Sequence, residues 1–363
     1  MDASNDKATP EDSNIKRHIN ILLPALTYMY PKNSSGTRHH LIDLFSKVFK
    51  DYPLTVLPLD KIRGIFFKSI VNFFKIASNS LNVAMQGYSV ISTFMAMYTK
   101  RNIKIIVHTW KVPGYSDDKL TAKIYDYFLK KIIQKSVLTI VASKKQERQV
   151  KTNFPQIPVF FAPVTVDCEF WNPKFKQVEL LDKFNLKKNK FIITVGGNDR
   201  NEEVGLTLAE KLDVQYVRIT RNKKIIELVR EPEQKLGMPG RAIILDDVSD
   251  LELISLYRYA DVILLPTVTE TNPAGLSSLV EGMACKGVVC APAALAETYI
   301  VDNENGLLLD DYNTDKISER INGLCEEKRL IIKENARKFA IESLNSELVA
   351  NNLRKVLNKL EAI

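Results

Sequence analysis

Between Asp261 and Leu309 the chain reads DVILLPTVTETNPAGLSSLVEGMACKGVVCAPAALAETYIVDNENGLLL, and no other stretch limits the fold as tightly. The apolar run Val262 to Leu265 stops at Pro266. A polar loop carrying Glu270, Thr271, Asn272 and Gly275 follows. Leu276 to Ala284 then resumes at helical spacing, and Gly287 to Ala291 is a second apolar run. The pattern is strand, loop, helix, strand, with the polar residues gathered where the first strand ends. In an open parallel sheet, ligands bind beyond the carboxyl ends of the strands, and a helix N-terminus there favours an anion. The segment therefore predicts a site for a phosphorylated ligand.

The same alternation extends to both sides. Strands are predicted at Phe191 to Val195, Val214 to Ile219, Ala242 to Leu245, Val262 to Leu265 and Val288 to Ala291, with helices at Gly205 to Lys211, Leu251 to Tyr259, Ser277 to Ala284 and Asp315 to Cys325. The first half predicts strands at His18 to Leu23, Leu54 to Leu57, Leu81 to Gln86, Lys104 to Val107, Val137 to Ala142 and Val159 to Ala162, and helices at Arg38 to Lys50 and Lys144 to Asn153. Strands alternating with helices imply parallel α/β sheets. The charged stretch Lys174 to Lys190 reads as a linker, and Asn345 to Ile363 as a final amphipathic helix. A chain of 363 residues has room for two domains of ordinary size.

Residues 1–14 are polar and read as a disordered tail without a signal peptide. The uncharged run Ile76 to Thr99 is long enough to span a bilayer but is interrupted by Ser78, Asn79, Ser80, Asn82, Gln86, Gly87, Ser89 and Ser92. It reads as a buried strand, a turn and a helix. Cys285 and Cys290 read as core thiols, and the four cysteines have no metal-ligand spacing. Charge is divided unevenly. Residues 1–180 hold 26 Lys and Arg against 14 Asp and Glu, while the remainder holds 25 against 29. The first half is therefore expected to face an anionic partner.

The Asp261–Leu309 segment resembles the C-terminal signature of the retaining glycosyltransferases of family 4, through Ala260, Asp261, Pro266, Gly275, Leu276, Glu281, Met283, Ala284, Cys285, Val289, Asp302, Asn305 and Gly306. VASKKQERQV, PVTVDCEFWNP and VSDLELISLYRYADV are similar to further segments of that family in the same order. The resemblance implies the α/β GT-B fold, two Rossmann-like parallel-sheet domains facing each other across a cleft. Residues 15–185 would be the acceptor-binding domain and 186–344 the nucleotide-sugar-binding domain, with 345–363 a helix crossing back to the first. It also implies sugar transfer from a UDP- or GDP-linked donor with retention, without a metal or other cofactor.

Glu281 matches the family's second conserved Glu, which contacts the donor ribose; a carboxylate accepts two hydrogen bonds and suits a diol. The first Glu of that pair falls on Pro273, so Glu270, or Thr271 and Asn272, are the candidates to hold the sugar. Gly275 and Leu276 would bring backbone N–H groups to sugar or phosphate. The family's diphosphate-binding Arg and Lys are replaced: VGGNDRNEEVG puts Gly197 at the Arg position and Glu202 or Glu203 near the Lys position. Arg200 could swing into that gap, and Arg221 follows the next strand. Gly36 lies where the family has a glycine-rich loop, and His108, ending a strand, where it has a His that reaches the donor sugar. The catalytic candidates are thus His108, Glu270 and Arg200.

The segment KIRGIFFKSIVNFFKIAS has a broad apolar face and a narrow stripe of Lys61, Lys68 and Lys75, as basic interfacial helices do; a core helix with a solvated edge has the same pattern. The expected partners are a nucleotide-sugar donor, a lipid-linked or membrane-proximal glycan acceptor and an anionic membrane surface met by Lys61–Lys75. A location in the cytoplasm, peripheral on the inner membrane face, follows. Nucleic acid is not expected, since RNP-type aromatics and a helix-turn-helix pattern are lacking. The alternative is a non-catalytic GT-B partner subunit, suggested by the replaced Arg and Lys.

Overall fold

The computed structural model describes residues 19–22, 40–52, 54–56, 74, 76, 80–84, 88–100, 102–109, 120–175, 179–196, 200–220, 223–246, 248–268 and 275–361. The 1–14 tail, Gly36, Gly197, Arg221, Glu270, Thr271 and Asn272 lie outside the described residues, as does the Lys61–Lys75 segment apart from Phe74.

The first sheet contains β1 (Ile19–Leu22), β2 (Leu54–Val56), β3 (Leu81–Ala84), β4 (Lys104–Thr109), β5 (Leu138–Val141) and β6 (Val159–Phe161), all parallel in the order β2-β1-β3-β4-β5-β6. Its helices are α1 (His40–Val48), α2 (Tyr88–Thr99), α3 (Leu120–Lys135) and α4 (Lys144–Asn153). The predicted bounds of α4 match to the residue. Ser143 accepts from the Gln146 N–H while the Gln146 side chain accepts from the Ser143 N–H, a capping box that fixes where the helix starts. The run Ile76 to Thr99 resolves into β3 and α2, and no helix of the described residues is long and apolar enough to cross a membrane.

Next come α5 (Glu179–Lys183), β7 (Phe191–Val195), α6 (Glu202–Lys211), β8 (Gln215–Ile219), α7 (Lys223–Lys235), β9 (Ala242–Leu245), α8 (Asp250–Tyr259), β10 (Val262–Leu264), α9 (Leu276–Ala284), β11 (Val289–Pro292), α10 (Ala293–Ala296) and β12 (Leu307–Leu309). The chain ends with α11 (Thr314–Asn322), α12 (Glu326–Phe339) and α13 (Ser346–Lys359). The second sheet is again parallel, in the order β12-β11-β10-β7-β8-β9. From β7 the chain runs outward one way through β8 and β9. It then jumps back to β10 and runs the other way. The boundary between β7 and β10 is therefore the topological switch point, where the loops diverge and leave a crevice.

The stretch read as a linker is more than that, since α5 buries Leu180 and Leu181. After β6, Val164, Val166, Cys168 and Trp171 join the core under the second sheet. The Tyr299 hydroxyl donates to the Ala142 carbonyl and accepts from the Val164 N–H, both at 3.1 Å, tying the second half to the first. Arg337 donates to the carbonyls of Cys168, Trp171 and Ala284, each at 2.8 Å. Helix α13 then returns and buries Val349, Ala350, Leu353 and Leu357 among Leu44, Phe45, Leu81, Ile106 and Leu138 of the first core. Cys285 and Cys290 are fully buried; burial pushes the Cys290 thiol up to about 12 and the Cys285 thiol well above its usual range. Both are core thiols.

Candidate functional site at the second switch point

β7 and β10 are locked side by side, with Thr194 Oγ1 donating to the Leu264 carbonyl at 3.1 Å. Beyond their ends, Arg200 pairs with Thr267 in an isolated antiparallel bridge, and the Asn201 N–H donates to the Pro266 carbonyl at 2.7 Å. This fold-back brings the Arg200 side chain over the switch point. Its Nη2 donates to the Val195 carbonyl at 3.2 Å. A Cβ built on either Gly196 or Gly275 would stand 3.0 Å from that same Nη2. The guanidinium therefore lies between the end of β7 and the start of α9, in a slot kept open by two glycines. Both glycines have positive φ, +117° and +106°, which side-chain-bearing residues rarely adopt.

Gly275 is the N-cap of α9 and, having no side chain, makes no side-chain cap hydrogen bond. The first turn of a helix has N–H groups without intrahelical acceptors and a partial positive charge. Together with Arg200 they make an anion-binding corner. Leu276, at the first helical position, is buried and anchors that turn. A cavity of about 420 Å³ opens alongside, lined by Arg200, Lys235 and Val268 but also by Glu202, Glu203 and Glu231.

Two acids begin α6, where the resemblance expects a cation. The structure shows how they are neutralised. Glu202 turns inward and forms a buried ion pair with Arg218, Nε to Oε1 at 2.8 Å, and its other oxygen accepts from the Tyr216 hydroxyl at 2.6 Å. Arg218 is fully buried, and its Nη1 donates to the carbonyls of Gly196 and Ile219, each at 2.9 Å. The pair forms a floor beneath the end of β7, through the Gly196 carbonyl. Glu203 is held by Lys235 at 2.6 Å. Arg218 is a residue the sequence reading missed. Its only signal is a charge inside the strand QYVRI, where a doubly covered parallel strand admits one only with a partner.

Glu281 lies further along α9, partly buried, and accepts from the Tyr257 hydroxyl at 3.2 Å. Burial, reinforced by nearby Asp250, pushes its carboxyl up to about 8, although the Tyr257 bond pulls the other way. At neutral pH it can both donate and accept hydrogen bonds. His108 belongs to the other sheet. It sits near the end of β4, buried, with its ring edge-on to Phe45 at 6.3 Å. The structure thus gathers Arg200, Gly275 and Leu276 at one corner, sets Glu281 on the same helix, and places His108 on the first sheet.

Other signature residues do structural work. Asp261, at the opposite end of β10, is ion-paired with Arg329. Asp302 accepts from the Leu308 N–H and from Arg320, both at 2.7 Å, and Asn305 accepts from the Val301 N–H at 2.8 Å. Among the described residues, no group of three or more His, Cys, Asp or Glu could hold a metal ion.

Residues 177–342 match the family model described as glycosyl transferases group 1. An uncharacterized glycosyltransferase of Methanocaldococcus jannaschii is 33% identical over 87 residues, a match covering 23% of this chain and 22% of that relative. The sucrose-phosphate synthase of Thermosynechococcus elongatus superposes with a TM-score of 0.73 at 15% identity, over 96% of this chain and 100% of that one. Anabaena HepE in complex with UDP-glucose gives 0.73 at 13%, over 94% and 99%. The fold is GT-B, two Rossmann-like parallel-sheet domains, as the sequence predicts. The match of residues 177–342 to that family model agrees with the expected enzyme class.

Proposed function

We propose that the chain is a retaining glycosyltransferase that moves a sugar from a UDP- or GDP-linked donor to a lipid-linked or membrane-proximal glycan, at the inner face of a membrane. The observation that carries the reading is Arg200, lodged between Gly196 and Gly275 over the second switch point. Transfer from a nucleotide sugar releases a diphosphate, and the charge that develops on it must be met by donors already in place. Arg200 and the uncapped start of α9 supply them. Glu202 and Glu203 do not oppose them, because each already has a cation.

In this reading Glu281 hydrogen-bonds the donor ribose, and Glu270, Thr271 and Asn272 hold the sugar. Gly36, Gly197 and Arg221 border the diphosphate, and His108 reaches the sugar from the first domain. The acceptor hydroxyl then attacks the anomeric carbon on the face the diphosphate leaves. Neither a resident metal nor an enzyme nucleophile is required. The UDP-glucose in Anabaena HepE, which shares this fold, supports the donor class.

The test is thermal stabilisation by UDP-, GDP-, ADP- and dTDP-sugars, since a ligand bound only by the folded state raises the melting temperature. One nucleotide should stabilise, with the effect lost in Arg200→Ala and Glu281→Ala. A well-folded protein that answers to none of them would be a non-catalytic GT-B partner, and the reading would fall.

A further inference from the structure

The seam between α2 and α3, in the first domain, carries an aromatic surface that the donor site does not use. Phe94 of α2 is its hub, with ring centroids at 4.7 Å from Phe128, 5.1 Å from Tyr98 and 6.5 Å from Tyr127. The outer members remain open to solvent: Tyr98 is 66% exposed, Tyr127 54% and Ile124 48%. Ile124, Tyr127 and Lys131 follow one another at spacings of three and four, so they share one stripe of α3. Lys131 Nζ lies 5.6 Å from the Tyr127 ring centre. Helix α3 carries Lys123, Lys130, Lys131 and Lys135 against the single acid Asp126.

Exposed large apolar side chains set among lysines are costly in water and match a lipid boundary. Tyrosine rings place an apolar body toward acyl chains and a hydroxyl among headgroups, and lysines meet lipid phosphates.

We infer that the α2–α3 seam docks on an anionic phospholipid surface, with Tyr98, Ile124 and Tyr127 entering the headgroup boundary and the α3 lysines on its phosphates. A second copy of the chain is a poor occupant, because it would set one lysine stripe against another. This inference gives the membrane-proximal part of the proposed function a location. Its test reads binding alone, so it stands or falls separately from the donor site.

The experiment is cosedimentation of the full chain with phosphatidylcholine vesicles, with and without phosphatidylglycerol. Anionic vesicles should bind at least about tenfold more tightly than neutral ones. The paired variant Tyr98→Ser/Tyr127→Ser, and separately Lys123→Glu/Lys130→Glu/Lys131→Glu, should each weaken binding about tenfold or more with unchanged melting temperature. Equal binding to both vesicle types, or to neither, overturns the inference. So does full binding by both variants. A Lys61→Glu/Lys68→Glu/Lys75→Glu variant that loses all binding while the tyrosine pair keeps it would assign the contact to that segment and overturn the seam. Concentration-dependent dimers, or binding of a single-stranded oligonucleotide, lost in the tyrosine pair without any vesicle binding, would also overturn it.

Discussion

The two halves of this chain invert a simple expectation about charge. The first half has an excess of basic residues and the second an excess of acidic ones, yet the corner built for an anion is in the second. Net charge describes a half-molecule seen from a distance, while a binding corner depends on where individual charges are tied down. In the second half Glu202 and Glu203, beside the corner, are held by Arg218 and Lys235, and Arg200 lies over the crevice. In the first half, the lysines of α3 surround an aromatic surface instead. One half gathers hydrogen-bond donors at a small corner; the other presents a broad, basic, apolar face.

The largest effect should come from breaking the buried floor. Glu202→Ala leaves Arg218 charged and buried, and unfolding in urea should show a loss of about 3–5 kcal/mol. Adding Arg218→Met should restore much of it. A cost near zero would mean that the pair is not what keeps Glu202 out of the anion corner. Next, Arg200→Ala should weaken nucleoside diphosphate binding by about 2–3 kcal/mol while leaving the affinity for the nucleoside alone nearly unchanged. Equal losses for both ligands would move the diphosphate elsewhere.

A subtler effect concerns Glu281. Its folded-state carboxyl titrates near 8, above the ordinary range, so the folded protein holds a proton that the unfolded chain releases near 4.5. Stability from this group is fully present below about pH 4.5 and is lost as pH rises through 8. Glu281→Gln should flatten that decline, read as melting temperature across this window, by several degrees at the alkaline end. The smallest effect tests whether the first half takes part in the chemistry. His108→Gln should lower turnover about tenfold, roughly 1.4 kcal/mol, with nucleotide affinity unchanged. A parallel loss of folding would reduce His108 to a packing partner of Phe45.

Sequence legibility followed the physics of each element. β7 appears with the bounds its apolar run predicts, because a doubly covered parallel strand needs an unbroken apolar run; β9 also keeps its predicted bounds, although it is an edge strand that fully buries only Ala242. Helix α4 announced itself through its capping box. Helix α7 escaped because Pro232 lies inside it, and a proline there reads as a stop. Helices α3 and α12 also went unread; their faces mix charged and apolar residues, so packing decides them more than pattern. At the site, Arg200 was legible as a candidate, but the slot that holds it was not. That slot pairs Gly196 with Gly275, brought together only by the strand order. Glu202 looked like an obstacle because its partner, Arg218, is on the next strand.

The return of α13 has a consequence for how the chain is made. The first sheet is synthesised early, but Leu44, Phe45, Leu81 and Leu138 complete their packing only against Val349, Ala350, Leu353 and Leu357. These leave the ribosome only after the whole of the second sheet. Domains generally fold in the order in which they emerge. Here the second domain is free to close first, and the first waits with an open apolar groove until α13 has emerged, a period in which it would need shelter from aggregation.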